Sequence, residues 1–111
     1  MEANKSQLQQ LIKYGETYNL EFKENYTKEI AKEMCAFANA TGGKILVGVT
    51  DEGKIKGFDR SNNNQSKIQE LARNIEPSLD IKLYMVDTVL IIEVPEGLQS
   101  PIPPMENSFY G

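Results

Sequence analysis

The chain has no histidine, no tryptophan and a single cysteine, Cys35. Without histidine there is no imidazole to serve as general base or metal ligand near neutral pH, so any acid–base or metal chemistry falls to carboxylates. A lone cysteine excludes an intrachain disulfide and fits a reducing compartment. Long hydrophobic runs are missing too. The strongest, Val89 to Val94, is interrupted by Glu93 and is far too short to span a bilayer. The opening MEANKSQLQQ is polar and lacks the apolar stretch of a secretory signal. These absences predict a cytoplasmic protein with no membrane partner. Positive charge is also in short supply. The net charge is −4, with 12 Lys and Arg against 16 Asp and Glu. A nucleic-acid binder normally carries a basic balance, because phosphate neutralisation dominates its affinity. Only a local lysine patch could serve here, and Lys23, Lys28, Lys32, Lys44, Lys54, Lys56 and Lys67 all fall in the first two-thirds of the chain.

What is present suits one domain with one core: 111 residues, of which 40% are apolar. There is no internal repeat. Residues 4–13 read as a helix with Leu8, Leu11 and Ile12 on one face, ended by Gly15. Residues 19–23 read as a strand with Leu20 and Phe22 on one side and Glu21 and Lys23 on the other. Thr27 is placed to cap a helix over 28–40, in which Ile30, Ala31, Met34, Phe37 and Ala38 recur at helical spacing. Gly42 gives that helix a left-handed cap, and Gly43 allows a tight start to the next strand. Residues 44–50 carry apolar groups on both faces, the mark of a central strand covered on both sides. Asp51-Glu52-Gly53 signals a hairpin turn, with 54–58 returning as a strand and 59–65 as a polar loop. A helix follows, capped by Ser66 with Gln69, with Ile68, Leu71, Ala72 and Ile75 on its apolar stripe and Pro77 just past its end. Residues 81–86 and 88–94 form a final hairpin about Asp87. A proline-rich loop covers 98–104, and Phe109-Tyr110-Gly111 reads as a strand cut short. The order predicts an α+β fold, a mixed β-sheet with hairpins packed against two or three helices, with the helices over 28–40 and 66–75 covering the central strand.

Three segments carry a family resemblance: GETYNLEFK at 15–23, AFANATGG at 36–43, and GVTDEGKIKGF at 48–58. In this order and spacing they resemble the Schlafen/AlbA-like DNA-binding domain family, found in bacterial transcription-regulator-like proteins and in Schlafen proteins. The resemblance runs from about Gly15 to Pro104. It implies that residues 1–111 form a single domain of this type, the N-terminal part of a longer protein. It implies DNA or RNA as partner and a role in transcriptional regulation. In Schlafen proteins the similar domain is an endoribonuclease using two glutamates and an aspartate with a divalent metal. Residue by residue, these correspond to Glu16, Glu21 and Asp51, with Mn2+ or Mg2+ as the cofactor of such a site.

The residues themselves leave two readings open. Glu21 and Lys23 lie two apart on a strand and share a face, so the carboxylate could hold a hard cation while the lysine stabilises developing phosphate charge. Equally, they could form a solvated strand face, and Asp51 is a natural turn residue. Glu16 is an odd number of residues from Glu21, so bringing the two together requires a bend near Thr17. The residues singled out are thus Glu16, Glu21, Asp51 and Lys23 for catalysis, the same three carboxylates for metal, and Lys23, Lys44, Lys54 and Lys56 for nucleic acid. The glycine pair does not make a phosphate loop, because it follows a helix and precedes a strand. Cys35 reads as a small packing residue, and Tyr14, Tyr18 and Tyr26 as either packing residues or base-stacking platforms. Three functions compete: a nucleic-acid-binding module without activity of its own, a metal-dependent endoribonuclease, and an oligomerisation module, with a homodimer expected from the edge of the final hairpin.

Overall fold

The structure, a computed structural model, describes residues 4–75 and 79–96. Helix α1 (Lys5–Tyr14) starts where the Asn4 side chain accepts the Gln7 N–H and Gln7 reaches back to the Asn4 N–H, both at 2.9 Å. This reciprocal cap satisfies two of the amides a helix start leaves open. Gly15, at φ 85°, ends it, donating its N–H to Leu11 and Ile12. Strand β1 (Leu20–Lys23) follows, then α2 (Ile30–Ala38), β2 (Gly43–Val47), a 3-10 turn (Ser61–Asn63), α3 (Asn64–Arg73), β3 (Lys82–Val86) and β4 (Val89–Val94). The four strands make one mixed sheet in the order β1-β2-β4-β3, with β1 parallel to β2 and the other pairs antiparallel. The expected α+β architecture, a mixed sheet against three helices, is the one observed.

β2 sits inside the sheet, and Ile45, Leu46 and Val47 are all fully buried. Because side chains alternate across a strand, its two faces feed two cores. Ile45 and Val47 join Leu90 and Ile92 under Ile30, Met34 and Phe37 of α2 and Ile68 and Ala72 of α3. Leu46 joins Leu20, Phe22 and Ile91 under Leu8, Leu11 and Ile12 of α1. The central strand is therefore covered on both sides as its composition predicts, with α2 and α3 on one face and α1 on the other.

Several local expectations are corrected. Residues 54–58 do not return as a strand. The turn at 50–53 forms, with Gly53 N–H on the Thr50 carbonyl at 2.9 Å, but only the single bridge Val49↔Ile55 follows it. The chain then crosses over Gly48, whose carbonyl takes the N–H groups of Lys56 and Gly57, and Phe58 donates to Thr88 at the β3–β4 turn. The crossing carries the chain from the α1 side of the sheet to the α2 side, where Phe58 joins the core and α3 begins. Gly48 permits it: at φ 107°, a Cβ there would lie 2.7 Å from the backbone of Gly57 and Phe58. Helix α3 begins at Asn64, two residues before the expected cap at Ser66. Its lead-in is organised by Asp59, which accepts from both the N–H and the hydroxyl of Ser61. Thr27 contributes its backbone carbonyl to the Ile30 N–H, and no side chain caps α2. The expectations for Pro77, the loop at 98–104 and the aromatic end at 109–111 lie outside the described residues.

Phe37 ties these layers together, since its ring is buried between α2 and Gly43 at the start of β2. Phe37→Ala should destabilise the domain by roughly 3–5 kcal/mol, the usual cost of a large cavity. Chemical denaturation would show this as a lowered midpoint with an unchanged slope, and an unchanged midpoint would contradict the packing described.

Candidate functional site

The carboxylates singled out in the sequence gather at β1 in part. A tight turn at 17–20, closed by reciprocal backbone bonds between Thr17 and Leu20 at 3.0 and 3.2 Å, reverses the chain. This is the bend the spacing of Glu16 and Glu21 requires. Glu16 then lies alongside β1, and its Oε2 accepts the Phe22 N–H at 3.0 Å. Since β1 is an outer strand, this carboxylate occupies an amide that another chain could otherwise pair with. Glu16 is also within hydrogen-bonding reach of Glu21. Burial pushes the Glu21 carboxyl above its ordinary range, and the negative charges of Glu33 and Glu16 push it further, against the pull of Lys23. Lys23 lies on the same face and bridges Glu33 at 3.1 Å. Burial alone would lower its ammonium pKa. The Glu33 hydrogen bond and the charges of Glu33, Glu21 and Glu29 outweigh that, and the net shift is upward.

Asp51 stands apart from this group. It is exposed on the turn that follows β2, and it is not among the charges acting on Glu21. Among the described residues, no three His, Cys, Asp or Glu side chains are placed to hold a metal ion. A hard divalent cation takes about six or more oxygen ligands. Glu16 and Glu21, with one oxygen already committed to a backbone amide, would supply only part of the oxygen shell of Mn2+ or Mg2+, and water or phosphate would have to supply the rest.

The four lysines expected to meet nucleic acid are dispersed. Lys23 faces α2 and is held by Glu33. Lys56 is held by Glu24 at 3.7 Å and Asn25 at 3.1 Å, and Lys54 is exposed beside the turn at 50–53. Lys44 is on the opposite face of the sheet, the face that carries α1, where it bridges Glu93 at 3.3 Å. There it lines a groove of about 750 Å³ at the end of the sheet beyond the C-terminus of α1. The register aligns Lys44 with Glu93 and Glu93 with Lys82, so two lysines flank one carboxylate across three strands. Lys82 is a residue the sequence reading passed over. The hairpin about Asp87 sets it opposite Glu93, but its nearness to Lys44 depends on β4 lying between β2 and β3.

Two tyrosines complete the groove. Tyr14 and Tyr18 are 83% and 78% exposed and both line it. Tyr26 differs: it packs against the core, with the Lys67 ammonium 5.9 Å from its ring centre. The groove floor includes Gly42 and Gly43. A Cβ on Gly42 would lie 2.7 Å from the Glu96 nitrogen, and one on Gly43 would lie 2.8 Å from the Phe37 ring and 2.9 Å from the Asn19 carbonyl.

Fold and site together define an α+β domain whose two sheet faces carry different chemistry, an acidic cluster facing α2 and an aromatic, charge-balanced groove beside α1. The chain belongs to the Schlafen, AlbA_2 family, which it matches over residues 16–110. Membership points to a nucleic-acid-related function. Its fold is similar to the crystal structure of the DIP2311 protein from Corynebacterium diphtheriae, with a TM-score of 0.57 and 17% identity. That likeness covers 87% of this chain and 25% of the other, so this chain spans about a quarter of that protein's length. At this identity the likeness is one of fold. Among the described residues, no helix is long and apolar enough to cross a membrane.

The acidic cluster has a measurable signature. With its pKa raised from 4.5, Glu21 binds its proton more tightly in the folded chain than in the unfolded one. Stability therefore falls as pH rises from the ordinary carboxyl range through the raised one, and the full cost is present above that window. Glu21→Gln keeps the size and removes the charge. The variant should melt higher than the wild type at about pH 7, and the difference should close towards about pH 4, where Glu21 is protonated. A variant that melts lower than the wild type at neutral pH would show that the charge at Glu21 is stabilising instead.

Proposed function

We propose that the domain binds nucleic acid in the groove beside α1, with Lys44 and Lys82 meeting phosphates, and that it serves as the DNA-binding module of a transcriptional regulator. The observation that carries this reading is the pair of lysines flanking Glu93 in a groove bordered by two exposed tyrosines. Family membership supports the same class of partner. Of the four lysines expected from the sequence, the proposal draws on Lys44. Lys23 is enclosed by carboxylates, and Lys54 and Lys56 do not line the groove. The reading is one of binding, supported by the lysines and tyrosines that line the groove.

Two phosphate contacts set the scale of salt dependence. With about 0.7–0.9 counterions released per contact, the slope of log K against log salt should be roughly −1.4 to −1.8. Lys82 makes no ion pair among the described residues, so its removal leaves no partner stranded. In titrations of labelled DNA and RNA, Lys82→Ala should weaken binding and reduce the slope by about one contact. Absence of binding to any nucleic acid at low ionic strength would end this reading.

A homodimer is a separate proposal, supported by the position of β3 as an outer strand of the sheet. Outer strands offer unpaired backbone groups to a second copy. Light scattering at high protein concentration should report twice the monomer mass, and monomer alone would count against pairing.

A further inference from the structure

Resting on the nucleic-acid reading, we infer that the groove takes an unpaired strand, whose bases stack on Tyr14 and Tyr18. The first ground is the exposure of these rings. Tyrosines usually bury the ring and wet only the hydroxyl, and here Tyr26 and Tyr84 do pack against or within the cores. Tyr14 and Tyr18 leave 83% and 78% of their surface to solvent, and both do so at the same groove.

The second ground is how they are held. Tyr14 is the last residue of α1, fixed in place by the Gly15 cap. Tyr18 sits in the tight turn at 17–20, which is braced by the Thr17 hydroxyl on Asn19 Oδ1 at 2.8 Å. Their backbones are set before any ligand arrives, so little ordering is left to oppose binding.

Charge is the third ground. Lys44 and Lys82 share the groove with Glu93 and Asp80, on a chain of net charge −4. Phosphate neutralisation, the main source of duplex affinity, is therefore weak here. A duplex keeps its base faces stacked inside and offers the groove mostly phosphate. An unpaired strand exposes its base faces, and stacking on tyrosine is sequence-tolerant and does not draw on the chain's net charge. Glu93 and Asp80, which repel phosphate, can accept hydrogen bonds from exocyclic base amines. A volume of about 750 Å³ accommodates a short stretch of one strand.

The test is fluorescence anisotropy at low salt with three labelled probes of one mixed sequence: single-stranded DNA, single-stranded RNA and duplex DNA. The single strands should bind about tenfold or more tightly than the duplex. Tyr14→Ala and Tyr18→Ala should each weaken single-strand binding by about five- to a hundredfold, as expected for one lost stacked base. Tyr14→Phe and Tyr18→Phe, which keep the ring, should restore most of it. Both tyrosines are exposed, so the thermal midpoints should match the wild type and confirm that folding is intact. Duplex bound as tightly as single strands, or Tyr→Ala variants that bind like wild type while Lys82→Ala weakens binding, would overturn the stacking inference and leave the nucleic-acid reading standing. No binding to any of the three probes would overturn both.

Discussion

The structure depends on a backbone crossing at Gly42 and Gly43. There the end of α2, the start of β2, the approach to β1 and the exit from β4 meet at distances that leave no room for a side chain. The Gly42 N–H turns back to the Phe37 carbonyl at 2.8 Å, and Lys44 donates to Asn19 at 3.0 Å. A Cβ at Gly42 would strike the Val94 carbonyl at 2.8 Å as well as the Glu96 nitrogen. Only residues without a side chain allow α2 to turn directly into the middle of the sheet. Once β2 starts there, its length and alternation assign every other layer: α2 and α3 to the face of Ile45 and Val47, α1 to the face of Leu46. The same crossing forms the floor of the groove, so the element that secures the fold also shapes the surface proposed to bind.

The sheet separates two kinds of polar surface. On the α2 side of β1, Glu21, Lys23 and Glu33 form a partly buried cluster, with Glu16 reaching Glu21 from the strand's outer edge. Burial and like charge both disfavour an ionised Glu21, and Lys23 offsets this only in part. Such clusters are often functional, but here one member already has a structural task. Glu16 occupies the Phe22 amide and closes an exposed strand edge. On the α1 side, the Lys44–Glu93–Lys82 row is balanced by Asp80 in the same groove and is bordered by aromatic surface. The net charge of −4 is thus compatible with a nucleic-acid partner if affinity comes more from ring faces than from phosphate contacts.

Much of the fold was legible in local sequence signals. Periodicity located α1, α2 and α3 and alternation located β1, because burial of one face imposes these spacings on any amphipathic element, while β2 was located by its unbroken apolar run, the mark of a strand buried on both faces. Gly15 marked the end of α1 by its tolerance of positive φ, whereas α2 ends at Ala38 with Asn39 as a right-handed cap, and Gly42, also at positive φ, serves the turn into β2 rather than the cap. Signals failed where a local preference met a tertiary demand. Residues 54–58 follow a good hairpin turn, yet they leave the ladder because the chain has to cross the sheet to start α3. Ser66 with Gln69 has the spacing of a cap, but the helix starts earlier, at Asn64, behind an Asp59 turn.

For the candidate site, the sequence by itself determined the chemistry available: carboxylates without imidazole, lysines without a basic excess, and tyrosines near the first strand. It also determined that Glu16 could reach Glu21 only through a bend, since residues an odd number apart on a strand face opposite ways. Which of these groups share a surface was decided by tertiary structure alone. Lys44 and Lys82 are neighbours because β4 lies between β2 and β3, an order that pairing of consecutive strands does not specify. Tyr14 and Tyr18 remain exposed while Tyr26 is packed, because α1 ends and the turn at 17–20 projects at the rim of the sheet, whereas Tyr26 lies against the core that α2 and α3 enclose. Strand order and layer packing are long-range choices made by the burial of two apolar faces at once, and no short window of sequence contains them.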